Sequence, residues 1–469
     1  MRKNLHGIIS LGLMTGVFAF TSCSSEITQT SEEPLLKSAE MKTNIFGKSI
    51  TQKPSYLVIF KDNNSVPKQF HEKLQSDENL GLELKNIGIA VVDSDDANFM
   101  NRFGNDSSVE SVVPNLELQW VSEPTEAKLS ADHIGSDDTF YKAGYLWGLD
   151  VIQAPQAWDA GYTGKGVKVA VLDSGIDHDH PDLMANINSE LSKSFIAGED
   201  WRVRPGSFFN HGTHVAGTIA AVDNKIGVIG VAPYSEIIAV KVLSEYTGTG
   251  PFSSINAGII YAADAGAQVI NMSLGTNLNK NGLVVLKDGS TVKYPGKVIQ
   301  EIIKAQQRAV DYAFRKGVTI VSSAGNDAIN ADGDGPQIKL PGGLNNIITV
   351  SATGPRGYTG RPTNFDIPAI YTNYGKSLVD IAAPGGDYSL GNSLDFILST
   401  GSGGYYFSVG TSMASPHVAG VAALIIQKNG GKMDPKEVAR KLYKTADGFG
   451  AQNPYFNNGR VNAYRAVTE

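Results

Sequence analysis

Val167-Lys168-Val169-Ala170-Val171-Leu172-Asp173-Ser174-Gly175 is a near-continuous apolar run that ends on a carboxylate and a glycine. A strand covered by helices on both faces has no wet side, so its sequence loses the polar alternation of a half-exposed strand. Three more runs of this kind occur at 237–242, 269–272 and 318–321. Helical stretches rich in small residues lie among them, at 215–221, 253–265 and 305–316. This alternation predicts an α/β fold over 147–469: a doubly wound, mostly parallel sheet with ligand sites at the carboxyl ends of its strands.

Two further segments carry chemistry that Asp173 can join. Asn210-His211-Gly212-Thr213-His214-Val215-Ala216-Gly217-Thr218 sets a histidine at the mouth of a helix whose small residues let another layer come close. Gly410-Thr411-Ser412-Met413-Ala414-Ser415-Pro416-His417-Val418-Ala419-Gly420 sets a serine at a helix start, since Pro416 is tolerated only near that end. The helix is predicted to run to about Gln427 and, being apolar on every side, to be buried. A serine hydroxyl is a weak nucleophile until a base takes its proton, and the base works best when a buried carboxylate fixes its tautomer. Asp173, His211 and Ser412 supply those three groups. Taken singly they have plainer roles: a carboxylate after a strand often caps a turn, and His214 and His417 suit hydrogen-bonded core positions. His211-x-x-His214 lacks the glutamate that a zinc protease motif needs.

Together, Val-Leu-Asp-Ser-Gly-Ile-Asp at 171–177, His-Gly-Thr-His-Val-Ala-Gly-Thr at 211–218 and Gly-Thr-Ser-Met-Ala-Ser-Pro-His at 410–417 resemble the three signatures of the subtilisin-like serine proteases, the S8 peptidase family. The resemblance spans 147 to about 467. It implies peptide-bond hydrolysis through an acyl-enzyme, with Asp173 orienting, His211 as general base and then acid, and Ser412 as nucleophile. It also implies an oxyanion hole built from the Asn326 amide and the Ser412 backbone N–H. Two strips of extended backbone, Ser273-Leu274-Gly275 and Ser323-Ala324-Gly325, are implied to hold a peptide or protein substrate by main-chain hydrogen bonds. A structural calcium ion is implied at Asp182 with Val222, Asn224, Ile226 and Val228, oxygen donors of the kind calcium takes. The family's further ligand would fall near Ala143, which has no side-chain oxygen. Residues 278–297 are an extra stretch, in which Asp288-Gly289 between 284–286 and 291–292 reads as a β-hairpin near the cleft. The alternative on the same fold is a lipoprotein that only binds peptides along the 273–275 and 323–325 edges.

The rest of the chain frames this domain. With 40 Lys and Arg against 47 Asp and Glu in 469 residues, net −7, and no basic run, nucleic acid is not an expected partner. Residues 1–23 pair a basic start with an apolar run from Ile8 to Phe20 and read as a lipoprotein export signal, with Cys23 as the lipidated residue and membrane anchor. As the only cysteine, Cys23 also excludes an intrachain disulfide framework and a cysteine zinc site. A polar tether follows over 24–53. Residues 54–119 show strand 56–60, helix 69–74, strand 87–92, helix 95–103 capped by Asp95, and strand 109–118, a twice-given strand-helix-strand rhythm that fits a small α+β split-βαβ domain. Its position and resemblance imply a prodomain, acting as intramolecular inhibitor and as folding template for a slow-folding parallel sheet. Residues 120–146 read as a linker containing the processing site. The expected product is an exported, self-processing zymogen, anchored to a bacterial membrane on the periplasmic or cell-surface side.

Overall fold

A computed structural model describes residues 53–469 except 123–125, 129–138, 205–206, 208–209, 287–288, 334, 362 and 449–452. The export signal, Cys23, nearly all of the tether, much of the linker and Asp288 therefore lie outside the described residues. Gln52–Glu469 pack as one unit.

The N-terminal module runs β1 (Ser55–Phe60), α1 (Lys68–Glu72), β2 (Asn79–Leu84), β3 (Ile89–Asp93), α2 (Phe99–Gly104) and β4 (Val109–Pro114). Its antiparallel sheet has the order β2-β3-β1-β4. Alternation along β1 sends Tyr56, Val58 and Phe60 toward Phe70, Phe99 and Phe103 of the module's own helices. Leu57 and Ile59 point the other way, into an apolar layer shared with the large domain. The sequence reading missed β2, although Leu80, Leu82 and Leu84 carry a period of two. It also started α2 too early. Asp96 draws 96–99 into a turn, accepting from Asn98 N through its side chain and from Phe99 N through its carbonyl, so Asn98 rather than Asp95 precedes the helix.

The strand expected over 109–118 breaks in two. Pro114 has no N–H to extend the ladder, and the Asn115 side chain exchanges hydrogen bonds with Ser253 at 2.9 and 3.1 Å. The chain then resumes as β5 (Glu117–Gln119), which belongs to another sheet.

The large domain contains β6 (Lys168–Asp173), α3 (His211–Ala220), β7 (Glu236–Lys241), β8 (Thr249–Pro251), α4 (Phe252–Asp264), β9 (Val269–Met272), α5 (Gly296–Arg315), β10 (Thr319–Ser323), β11 (Gln337–Leu340), β12 (Ile348–Gly354), β13 (Ile381–Pro384) and α6 (Thr411–Lys428). Strands β13, β12, β10, β9, β6 and β7 pair in that order, all parallel. The four apolar runs are thus adjacent central strands. After β6 the chain adds β7 on one side and later β9 on the other, so the winding reverses at β6 and a crevice opens outside the carboxyl ends of β6 and β9.

Helix α5 begins at Gly296, before the expected 305, and buries Ile299, Ile302, Ala305, Ala309 and Ala313 as one stripe. The extra stretch does form a hairpin, Leu283–Val285 against Thr291–Lys293. Its approach to the cleft is through the preceding strand Thr276–Asn279, which pairs with β11.

Helices α3 and α6 are buried and carry two neutral histidines. His214 Nε2 lies 3.1 and 3.0 Å from the carbonyls of Ile397 and Tyr406, and His417 Nδ1 lies 2.8 Å from the Met413 carbonyl. Burial pushes their pKa values down, to about 3 for His214, where nearby His211 adds to the effect, and to about 4 for His417. The unfolded chain, with ordinary histidines near 6.5, therefore binds more protons than the folded one below that pH. Stability should be full above about pH 7 and fall as the pH drops from about 6.5 toward about 4, by up to ~1.4 kcal/mol per pH unit for each histidine. Thermal unfolding of the full chain between pH 7.5 and 4.5 checks this, and a flat Tm across that window would refute it.

Candidate active site

Asp173 closes β6 at the crevice and is 1% exposed. Its Oδ1 accepts from Ser174 N at 2.7 Å, and both carboxylate oxygens stand 2.9 Å from His211 Nδ1. A proton on Nδ1 satisfies that carboxylate and turns Nε2 to the cleft, which His211 lines together with Ser412. Gly212 makes the approach possible, because a Cβ there would sit 2.3 Å from the Gly175 carbonyl and 3.0 Å from Asp173 Cβ.

Ser412 occupies the first turn of α6, where its hydroxyl donates to the Ser273 carbonyl at 3.1 Å. Pro416 has no N–H for the Ser412 carbonyl four residues earlier, and Ser273 Oγ supplies the missing donor at 2.8 Å. Asn271 Nδ2 in turn donates to Ser273 Oγ at 2.9 Å, and Ser415 Oγ to Asn271 Oδ1 at 2.8 Å. The serine is therefore held by a buried polar cluster on β9 and α6. Sequence reasoning gave Asn271 and Ser415 no role; their signal was polarity inside segments otherwise apolar throughout.

Asn326 follows β10. Its Oδ1 accepts from Thr411 N at 2.9 Å and from Thr411 Oγ1 at 2.8 Å, which fixes the amide plane and presents Nδ2 to the cleft.

The two expected backbone strips behave differently. Gly275 N donates to the Trp120 carbonyl at 2.9 Å, so the first strip binds the chain's own segment as an extended ligand. In the second strip Ser323 and Gly325 line the cleft, but their neighbourhood bonds inward: Ala324 N to Val350 O, the carbonyls of Ala324 and Gly325 to Asn373, and Gly325 N to Thr411 Oγ1. The second edge that holds the segment is β8, paired antiparallel with β5 through Thr249↔Gln119 and Gly250↔Leu118. The sequence reading gave this edge, within Thr247-Gly248-Thr249-Gly250-Pro251, no role.

Packing continues past the expected boundary at 119/120. Leu118, Trp120 and Val121 are buried, Trp120 Nε1 donates to the Gly250 carbonyl at 2.8 Å, and the ring meets Phe252 edge-on at 4.9 Å. The segment continues to Ser122 beside a cleft of about 360 Å³ shared with His211, Asn326 and Ser412. Residues 126–128, expected to be linker, pair with residues 406–408 of the strand Gly404–Ser408. Arg308 of α5 clamps the module from beneath, reaching the carbonyls of Phe60 and Ile87 at 3.1 Å each and Glu110 at 2.5 Å.

At the expected calcium position two side-chain oxygens are already engaged by protein donors. Asp182 Oδ2 already accepts from Val228 N at 2.9 Å, and the Tyr405 hydroxyl also hydrogen-bonds this carboxylate. That hydroxyl reaches within 2.0 Å of where a Cβ on Gly227 would lie. Asn224 Oδ1 accepts from Ile226 N at 3.1 Å. Of the oxygens expected to converge on a cation, Asp182 Oδ2 and Asn224 Oδ1 thus receive donors from the loop and from a phenol. Tyr405→Phe should accordingly destabilise the chain by about 1–3 kcal/mol, the size of a hydrogen bond to a buried charged group. A chelator should leave the wild-type Tm unchanged; a fall in Tm on chelation alone would return the loop to a cation.

Comparison with known proteins agrees with this geometry. Residues 164–464 match the subtilase family model, Peptidase S8. The thermophilic serine proteinase of Bacillus sp. (strain AK1) is 34% identical over 85% of this chain and 86% of its own. Thermitase of Thermoactinomyces vulgaris is 35% identical over 70% of this chain and 97% of its own. Among solved structures, the epidermin leader peptide processing serine protease of Staphylococcus aureus is similar in fold, with a TM-score of 0.70 and 22% identity, covering 89% of this chain and 98% of that one. The chain belongs to the subtilase family of serine proteases.

Proposed function

We propose that this protein is an exported serine endopeptidase made as a self-inhibited zymogen. The observation that carries the reading is the 117–122 segment, bound as a strand between β8 and Gly275 and leading to the cleft of Ser412 and His211. A substrate would take the same edges after the segment leaves, with backbone bonds giving affinity and pockets giving selectivity.

In the reaction Ser412 Oγ exchanges its bond to the Ser273 carbonyl for one to His211 Nε2, which lines the same cleft. The hydroxyl then attacks the scissile carbonyl carbon while its proton passes to Nε2, and Asp173 steadies the resulting imidazolium through Nδ1. The oxygen that becomes negative receives the Asn326 Nδ2 and Ser412 backbone N–H donors. His211 returns the proton to the leaving amine as the C–N bond breaks, leaving an ester on Ser412. Water, deprotonated by His211, hydrolyses that ester and restores the serine.

The module 54–119 acts as the prodomain, with self-cleavage inside 120–146. Residues 1–23 direct export, and acylation at Cys23 anchors the chain at the membrane.

Wild type should shorten within 120–146 on incubation and label with a fluorophosphonate. Ser412→Ala should stay full-length and unlabelled; equal processing of both chains would defeat the assignment. Asn326→Ala should lower kcat by about 10²–10³, the size known for the oxyanion-hole asparagine of subtilisin itself, with KM nearly unchanged. Cys23→Ser should move the chain from the membrane fraction to the soluble exported fraction, and unaltered membrane retention would remove the anchor.

A further inference from the structure

The cleft contains a lysine that this mechanism leaves unused. Lys339 lies on β11 directly opposite Asn277, so the two side chains share one face of that strand pair and both line the cleft beside Gly275, Gly325 and Ser412. Its side chain is only 9% exposed. A Cβ on Gly275 would lie 2.6 Å from Lys339 Cε, and one on Gly325 would lie 2.6 Å from Cε and 2.7 Å from Nζ. The ammonium therefore threads between the backbone at 275 and at 325, and glycine at both positions gives it room.

This is the recess beside Ser412 and Asn326 that a substrate side chain enters when its own carbonyl is at the serine. The bound segment runs upstream along β8 and Gly275, so the residue next to the reacting carbonyl is flanked by 275–277 on one side and 325–327 on the other.

The only ion-pair partner described for Nζ is Asp327 Oδ2 at 3.5 Å. That carboxylate is 45% exposed and also accepts from Asn277 Nδ2 at 2.9 Å and Asn373 Nδ2 at 3.4 Å. Burial would raise its pKa, but Lys339 and these amides outweigh that and hold it below the ordinary value. Burial likewise pushes the Lys339 ammonium down, against the pull of Asp327. An ammonium has three N–H donors, and one loose contact leaves it with donors for an incoming anion. Asp327 is the more solvated and better satisfied of the two charges, so the deeper cation offers the stronger recognition.

Resting on the endopeptidase reading, we propose that Lys339 sets primary specificity, selecting substrates whose residue before the scissile bond carries a carboxylate. Glutamate, with the reach to meet a cation at the floor of the recess, is preferred over aspartate.

The test uses the full chain after self-processing, on peptides identical except for Glu, Gln, Leu or Lys before the cut. The Glu peptide should exceed the Gln and Leu peptides in kcat/KM by about 10–100-fold, the range for a charge-assisted hydrogen bond in a partly dry site. Lys339→Met should lower the Glu-to-Leu ratio by a similar factor, while Lys339→Arg should keep Glu preferred. Casein digestion by the same preparations reports on folding and on general proteolysis. Preference for Leu or Lys by a casein-digesting wild type would overturn the lysine assignment and leave the endopeptidase reading standing, as would a Glu-to-Leu ratio that Lys339→Met does not move. A wild-type chain inert toward casein and every peptide would sink both.

Discussion

The pairing of Asp173 with His211 is the constraint around which the large domain is arranged. A carboxylate 1% exposed at the end of a central strand has lost its water, and leaving it without partners costs several kcal/mol. Parallel neighbours on both sides of β6 set where that carboxylate sits. Helix α3 must then start close enough for the imidazole to reach it, which Gly212 allows by removing the Cβ that would strike the turn after β6. The same helix anchors its other side through His214 on the carbonyls of Ile397 and Tyr406, so the histidine of the pair is held from both directions.

Ser412 is positioned by a second solution to the same problem of buried polarity. Proline inside α6 deprives the Ser412 carbonyl of its helical partner, and the Ser273 hydroxyl replaces it from the neighbouring strand. The interruption thus becomes a link between the serine's own backbone and the strip that holds the Trp120 carbonyl. Asn271 and Ser415 complete the cluster. A fully satisfied polar network in a dense core holds its members in one arrangement, which suits a group that must meet a reacting carbon within a fraction of an ångström.

On the proposed zymogen reading, the N-terminal module lets a cleft that holds extended chains be occupied before it is used. One face of its sheet is covered by its own helices; the other joins an apolar layer that includes α4 and α5. With the module docked, the 117–122 segment is delivered at high effective concentration and needs little affinity of its own. Cutting the chain between module and large domain makes that contact bimolecular and lets substrate compete. In the reading proposed above, activation is a change in effective concentration brought about by the enzyme's own chemistry.

Local pattern sufficed for a good deal of this. Four apolar runs identified the central strands, because strands buried on both faces must be apolar at every position. The residues around Asp173, His211 and Ser412 stood out, as did the serine's place at a helix start, because proline and glycine restrict the backbone wherever they occur. The second backbone edge at β8, the closure of Asp182 by Tyr405, the break at Asn115 and the lysine between Gly275 and Gly325 were not legible. Each joins residues tens to hundreds of positions apart, and nothing in the local sequence of Lys339 distinguishes a charge turned to solvent from one turned into a cleft. Sequence alone determined which groups could react and which segments had to be buried, because composition and period report on burial directly; only the tertiary structure decided which donor meets which acceptor and what lies at the bottom of the cleft, because those depend on distances that no local pattern encodes.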